Sequence, residues 1–411
     1  MNSVHRTASL CERSLGWVLP AAAWVSFAQV GLKYLLWLAV MGLSLAVIDQ
    51  RKRWRSTWRQ PGPMLLLLWV GWMWISAWWS SAPIRDIIIH GWIYALPLGA
   101  IAIGAACPPA VAQRSLLHFI AASACVGGLW AVHSRGRLPV SPLWHSTLAA
   151  TGNQRIMASV LLALGAVLAC WFLARQTRPW PKVGLALAAL LAAAGLISQD
   201  RRSGMVLLPL LLLVWALALP RPALWRASGV LAVAVAMGAV WLGSDTVRTR
   251  FAEGSAELAA YNSQASVDTS WGIRLRMLEI TADMVKECPA FGHGLGSWQQ
   301  QWDQRVPAGT RLADNSTPHN DYLMVAAQAG VPAAMLILGW LLAMMVAAVR
   351  AGPMGMAALM VWFSITATAM ANATLRDAKF GLPLLLLAGL AMAMLDRDKS
   401  PPKPEPKVFQ R

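Results

Sequence analysis

The sequence predicts an all-α, polytopic integral membrane protein with about twelve transmembrane helices and one large helical loop outside the membrane. Composition is the first observation behind this. Of 411 residues, 57% are hydrophobic and only 13% are charged, about half the charged fraction of a soluble domain. The second is periodicity of another kind: apolar runs long enough to cross ~30 Å of hydrocarbon as helix recur from end to end. A transmembrane β-barrel would show short alternating segments instead. The third is where the charge sits. The net charge of +17 lies mostly in short loops between apolar runs, where basic residues set membrane orientation. No nucleic-acid partner is implied; the surrounding partner is membrane lipid.

The first two spans, about 15–32 and 33–48, form a hairpin. Arg51, Lys52, Arg53, Arg55 and Arg59 follow as the densest positive cluster, which the positive-inside rule assigns to the cytoplasm together with the N-terminus. The third span, 63–79, carries Trp69, Trp72, Trp74, Trp78 and Trp79, expected as an interfacial aromatic belt. Spans four and five, 86–106 and 115–133, flank an inside turn at Arg114. An outside loop at 134–154 holds Arg135, Arg137 and His145. Span six ends at Ala174, and Arg175, Arg178 and Lys182 mark the next inside loop. Span seven, 183–198, delivers Asp200, Arg201, Arg202, Ser203 and Gly204 to the outside, and span eight, 205–219, follows at once. Two arginines in so short an outside turn break the positive-inside rule. Their guanidinium groups lie at the membrane boundary, where charge is costly and usually faces a protein cavity. Arg221 and Arg226 are inside again, and span nine ends near Gly243.

Residues 244–321 are the one long polar segment, and ten of the 18 acidic residues fall within it. Ile273, Met277, Ile280 and Met284 recur at helical spacing, so Thr269 to Glu287 reads as an amphipathic helix. Gly292, Gly294 and Gly296 end any helix in a turn. Only Cys288 of the five cysteines lies in this loop, so no disulfide can form within it. Span ten, 322–349, contains Pro332, which predicts a kink or break; spans eleven and twelve are 353–372 and 380–395. The tail, 396–411, is rich in proline and charge and is expected to be disordered in the cytoplasm. The expected division is therefore 1–243, nine membrane helices; 244–321, the outer loop domain; 322–395, three membrane helices; and 396–411, the tail.

Arg201, Arg202 and Arg274 supply fixed cations on the outer side, and a planar guanidinium suits phosphate oxygens. Two or three converging at a membrane surface suggest a pyrophosphate on a lipid; each could equally cap a helix or pair with an acid such as Asp200. His319 can accept a proton near neutral pH, although a histidine that begins a membrane span is also a common interfacial residue. Asp321 could orient it, but helical neighbours two apart do not face each other. His293, in the glycine turn, is a second candidate, whereas His90 and His118 read as core groups. The sequence has no HExxH, CxxC, P-loop or dinucleotide fingerprint, so neither metal nor cofactor is expected. An enzyme working outside the cytoplasm has no ATP, so its driving energy must arrive in the substrate.

Three motifs in order carry a resemblance. They are Arg202-Ser203-Gly204 at the start of a span; Arg274 followed by Pro289 and Gly292-x-Gly294-x-Gly296; and His319-Asn320-x-Tyr322-Leu323 with Gly330. Over roughly residues 195–335 the chain resembles bacterial O-antigen ligases, in the superfamily that also holds O-antigen polymerases and protein O-oligosaccharyltransferases. Arg201, Cys288, His293 and Gln328 depart from that pattern. The resemblance implies a GT-C-like fold in the bacterial inner membrane, with both termini cytoplasmic and the active site facing the periplasm. It implies a metal-independent, inverting glycosyltransferase that moves a glycan from undecaprenyl pyrophosphate to lipid A-core oligosaccharide, completing lipopolysaccharide. His319 would be the base. Arg202 and Arg274, with Arg201 beside them, would bind the pyrophosphate, and Asn320, Asp321, Tyr322 and His293 would lie around them.

Two classes compete with this reading. A polymerase of the superfamily often has two sizeable outer loops, whereas the 134–154 loop here is short beside 244–321. Protein O-oligosaccharyltransferases usually continue further after the histidine motif. A lipid-glycan flippase would spread charges along both leaflets and would leave His319 without a role.

Overall fold

The computed structural model describes residues 2–50, 54–138, 153–199, 201–218, 222–262 and 269–395. All regular structure among them is helical. In order the helices are α1 (Asn2–Val25), α2 (Val30–Gln50), α3 (Trp54–Trp58), α4 (Pro61–Ile75), α5 (Ile84–Ala95), α6 (Pro97–Ala106), α7 (Pro109–His133), α8 (Asn153–Leu173) and α9 (Pro179–Ser198). They continue as α10 (Arg202–Ala218), α11 (Ala223–Gly243), α12 (Asp245–Asn262), α13 (Ser270–Glu287), α14 (Trp298–Asp303), α15 (Asp321–Arg350), α16 (Met356–Ala369) and α17 (Ala378–Ala393). Among the described residues, nine helical segments are long and apolar enough to cross a membrane, and α10 and α17 are shorter apolar helices. The chain is thus an all-helical, multi-pass membrane protein. The cluster at 51–53, most of the 134–154 loop including His145, Asp200, Arg221 and the tail lie outside the described residues.

Several boundaries differ from those expected. The first two spans part at residues 26–29, not at 32–33, and α1 begins at Asn2 with a polar first half, which keeps it out of the group of nine. The fourth span is divided at Pro97, which opens α6 and cannot donate to the preceding turn. The tryptophans of the third span are not one belt. Trp69 is fully buried, stacked on Trp340 and edge-on to Tyr94; Trp78 is 89% exposed. Trp72 and Trp79 donate instead to the carbonyls of Ala329 and Phe291, at 2.8 and 3.2 Å. A tryptophan N–H needs an acceptor when it leaves water, and here backbone outside its own helix provides it.

Nearly every side chain of α8 is buried, whereas α11 buries none. The first therefore runs through the bundle and the second along its outside. α10 packs closely on α8: a Cβ on Gly204 would meet the Ser159 carbonyl oxygen at 2.4 Å. Small residues permit such backbone approach between membrane helices, and this one sets where Arg202 and Ser203 stand.

The polar segment folds as α12, α13, the glycine turn and α14. Thr269 caps α13, accepting the Gly272 amide at 3.0 Å. Met277, Ile280, Met284, Trp298, Trp302 and Val306 form a small core that also takes in Met324 and Ala327 from the first turns of α15. The loop and that membrane helix therefore share one apolar cluster.

α15 is broken where Pro332 predicts. Ala329 and Gly330 leave helical geometry, with Gly330 at φ 80, ψ 171. Pro332 has no N–H for the Gln328 carbonyl, and the Gly294 amide takes that place at 2.7 Å. The His293 amide donates to Ala327 O at 2.9 Å, while Val331 N donates to Pro289 O at 2.7 Å. The Gln328 side chain, fully buried, accepts from Gly296 N at 2.6 Å and donates to the Tyr94 hydroxyl at 2.8 Å. The predicted glycine turn is thus seated on the predicted break. Gly330 lies in a region essentially closed to residues with a side chain, and its added Cβ would meet Ala290 O at 2.3 Å. Gly330→Ala is expected to destabilise the protein by about 1–3 kcal/mol. The check is thermal unfolding in detergent, where the variant melts below the wild type while a control at the exposed Met335, Met335→Leu, does not.

Candidate functional site at the start of α10, α13 and α15

The site is assembled at one end of the bundle. Arg202 begins α10, and its guanidinium meets Glu257 at 3.3 Å and Glu253 at 3.7 Å, both from α12. The other oxygen of Glu257 accepts the Trp271 amide at 2.9 Å, which ties the same carboxylate to the first turn of α13. Glu253 is shared with Arg250 at 2.7 Å. Among the described residues, the acidic partners of Arg202 come from α12. They hold the arginine at the junction of α10, α12 and α13.

Arg274 lies one turn after Trp271 on α13. Its guanidinium is drawn below the usual arginine range, first by burial and then by the positive charges of Arg202 and Arg201; Glu257 opposes this. Arginine stays protonated nonetheless. The physical content is crowding: three cations lie within each other's field, partly out of water. An anion entering among them would relieve that repulsion.

His319 closes the group. It is the one non-glycine residue at positive φ among the described residues, at φ 52, a conformation uncommon for such a residue and concentrated at functional sites. Its amide donates to Thr317 Oγ1 at 3.3 Å. Its Nδ1 is buried and has no hydrogen-bond partner among the described residues. Burial, then the charge of Arg274, lower its pKa to about 4; Asp377 opposes this and Arg376 adds to it. The imidazole is therefore neutral at physiological pH and can accept a proton.

The neighbours of His319 serve other ends. Asn320 caps α15, accepting the Leu323 amide at 2.9 Å and donating to Met370 O at 3.0 Å. Asp321, only 2% exposed, accepts the Leu375 amide at 2.7 Å, so it anchors backbone of the α16–α17 connection. The Tyr322 hydroxyl donates to Thr366 O at 2.9 Å. His293 is held away from this group: its Nε2 meets the Met284 carbonyl at 3.0 Å, and Glu287 is 3.9 Å distant. Arg201, Arg202, Arg274 and His319 thus form one electrostatic group, while Asn320, Asp321, Tyr322 and His293 fasten elements together.

Sequence reading missed Glu253, Glu257 and Arg376. The first two carried a signal, since glutamates four apart lie on one helical face. Arg376 carried only its place in a break between two apolar runs.

Residues 187–338 match the family model described as O-antigen ligase. That segment contains Arg201, Arg202, Arg274, His293 and His319 to Tyr322, and it ends before α16. No curated protein matches the chain.

The depressed basicity of His319 has a spectroscopic consequence. In protein labelled at histidine, with the His319 signal assigned through His319→Gln, the ring should remain neutral from pH 7.5 down to about 5. Arg274→Gln removes a repelling positive charge, so the midpoint should move up toward the ordinary histidine value. A His319 midpoint near 6.5 in the wild type would contradict this electrostatic picture.

Proposed function

We propose that the protein is an O-antigen ligase, a reading supported by the match of residues 187–338 to that family's model. On this reading it transfers a glycan from undecaprenyl pyrophosphate to lipid A-core oligosaccharide at the periplasmic face of the inner membrane. The carrying observation is that Arg201, Arg202 and Arg274 share one field, and that the charge of Arg274 reaches the neutral His319.

The proposed step follows from those groups. An acceptor hydroxyl attacks the anomeric carbon of the donor sugar from the face opposite the pyrophosphate, so configuration inverts. The hydroxyl proton passes to the His319 ring as the new C–O bond forms. The bond between the anomeric carbon and the phosphate oxygen breaks, and its electron pair leaves on undecaprenyl pyrophosphate. Arg202 and Arg274, with Arg201 adjacent, stabilise the charge that grows there. Two guanidinium forks do the work that a bound metal does in many transferases. The arrangement proposed around this site is twelve spans with both termini in the cytoplasm and 244–321 as the outer domain.

The test is transfer by purified protein from undecaprenyl pyrophosphate-linked glycan to rough lipopolysaccharide, with chelator present. The expected product is lipopolysaccharide of higher mass. Donor extended on itself would make the protein a polymerase with the same site, and binding of donor with neither product would favour a transporter.

Two substitutions examine the roles. His319→Ala should abolish transfer yet leave donor affinity within about twofold, since a proton acceptor acts only in the transition state; loss of donor binding would recast it as a positioning residue. Arg202→Lys should lose most transfer activity, about tenfold or more, because a point charge does not reproduce a bidentate fork. Near-normal turnover by that variant would remove the pyrophosphate role.

A further inference from the structure

The residues that follow His319 direct their polar groups at the end of α16 and the connection after it. Asn320 Nδ2 donates to Met370 O, Asp321 Oδ2 accepts the Leu375 amide, and Tyr322 Oη donates to Thr366 O, at 3.0, 2.7 and 2.9 Å. The backbone of Thr374 and Arg376 also faces the Asp321 carboxylate. Burying a carboxylate is costly unless it is well bonded, and here the whole group is spent on holding residues 374–376 against the start of α15.

That connection carries Arg376. Its Nε donates to His90 Nε2 at 3.3 Å, and one terminal nitrogen lies 3.2 Å from the same ring atom. A neutral imidazole aims a guanidinium without cancelling its charge. No carboxylate lies within ion-pair distance of the Arg376 side chain among the described residues, and the adjacent Asp377 accepts the Lys379 amide at 2.9 Å at the start of α17. Arg376 is only partly buried. The Asp321 anchor, two residues after His319, brings this connection to the start of α15, and the charge of Arg376 adds to that of Arg274 in the field at His319.

We propose that Arg376, held by His90 and by the Asp321 anchor, binds an anionic group on the acceptor saccharide, a phosphoryl or a carboxylate, near His319, while Arg202 and Arg274 take the donor pyrophosphate. This rests on the function proposed above and extends it to the second substrate. It also assigns a purpose to Asp321, which fastens the acceptor-side cation in register with the base. Arg376 lies beyond the segment that matches the family.

The experiment compares wild type, Arg376→Gln and Arg376→Lys as full-length protein. It measures the affinity for undecaprenyl pyrophosphate and the KM for three acceptors: rough lipopolysaccharide, the same material dephosphorylated, and the same material with its carboxylates methyl-esterified. Arg376→Gln should raise KM for the intact acceptor about tenfold or more, the scale of one charge-assisted contact, with donor affinity unchanged. Unchanged donor affinity also shows that the variant is folded. Arg376→Lys should fall between. The difference between wild type and Arg376→Gln should vanish on whichever modified acceptor lacks the recognised anion, which separates phosphate from carboxylate. A defect that persists equally on all three acceptors, or a loss of donor affinity, overturns the proposal. Failure of the wild type itself to use rough lipopolysaccharide defeats the ligase reading before any variant is compared, and the acceptor assignment falls with it.

Discussion

A proline in a membrane helix leaves a carbonyl without its donor, and hydrocarbon offers no water to replace it. In α15 that carbonyl belongs to Gln328, and the Gly294 amide supplies the missing hydrogen bond. Around it the Ala327 and Ala329 carbonyls accept from His293 N and Trp72 Nε1, and Pro289 O receives Val331 N. The polar segment is thereby joined to a membrane helix through backbone, and not merely laid on it. Removing the turn would strand several polar groups at membrane depth, each unsatisfied one costing on the order of several kcal/mol. The same joint fixes α13, which ends just before the turn, relative to α15. Arg274 and His319 stand on those two helices or at their edge. Their relation is a consequence of how one broken helix satisfies its hydrogen bonds.

The electrostatics follow from this geometry. Arg274 from α13 and Arg376 from the α16–α17 connection both act on the neutral His319, and Arg274 in turn feels Arg202 from α10. Of these, Arg202 is met by carboxylates, Glu257 and Glu253. Charges of one sign held together in a medium less polarisable than water destabilise the empty protein. Proteins keep such arrangements where a ligand of opposite sign completes them. Without that ligand, the arrangement would be an unexplained cost to the fold.

Much of this was legible in the sequence, for identifiable reasons. Apolar runs reveal membrane helices because bilayer thickness imposes their length. Thr269, the spacing of Ile273, Met277, Ile280 and Met284, and the Gly292–Gly296 turn are local signals, and α13 and the turn lie where those signals put them. Pro332 announced a break but not its partner, because the amide that replaces its missing N–H is contributed from nearly forty residues earlier. Tryptophan composition misled for a related reason. An interfacial belt and a pair of indoles hydrogen bonded to a broken helix and to the turn seated on it look the same until the break has a position. Arg376 was silent because its significance lies wholly in contacts to His90 and to the backbone partner of Asp321, and no local pattern encodes a contact between distant segments.

The low basicity of His319 looks at first unfavourable for a base, since proton acceptance is most effective when the pKa lies near the working pH. On the proposed function the two halves of the site correct each other. Burial and Arg274 hold the empty-site imidazole at about 4, so it is neutral and ready but weak. A pyrophosphate bound to Arg274 and Arg202 would bring negative charge into the same field and offset the cation that suppresses protonation. The His319 pKa would then rise toward the ordinary histidine range as the donor settles. Basicity would appear when the donor is in place and fall again when the charged leaving group departs. The arginines would in this way do two things with one set of charges: hold the phosphates, and keep the base weak until there is a glycan to transfer.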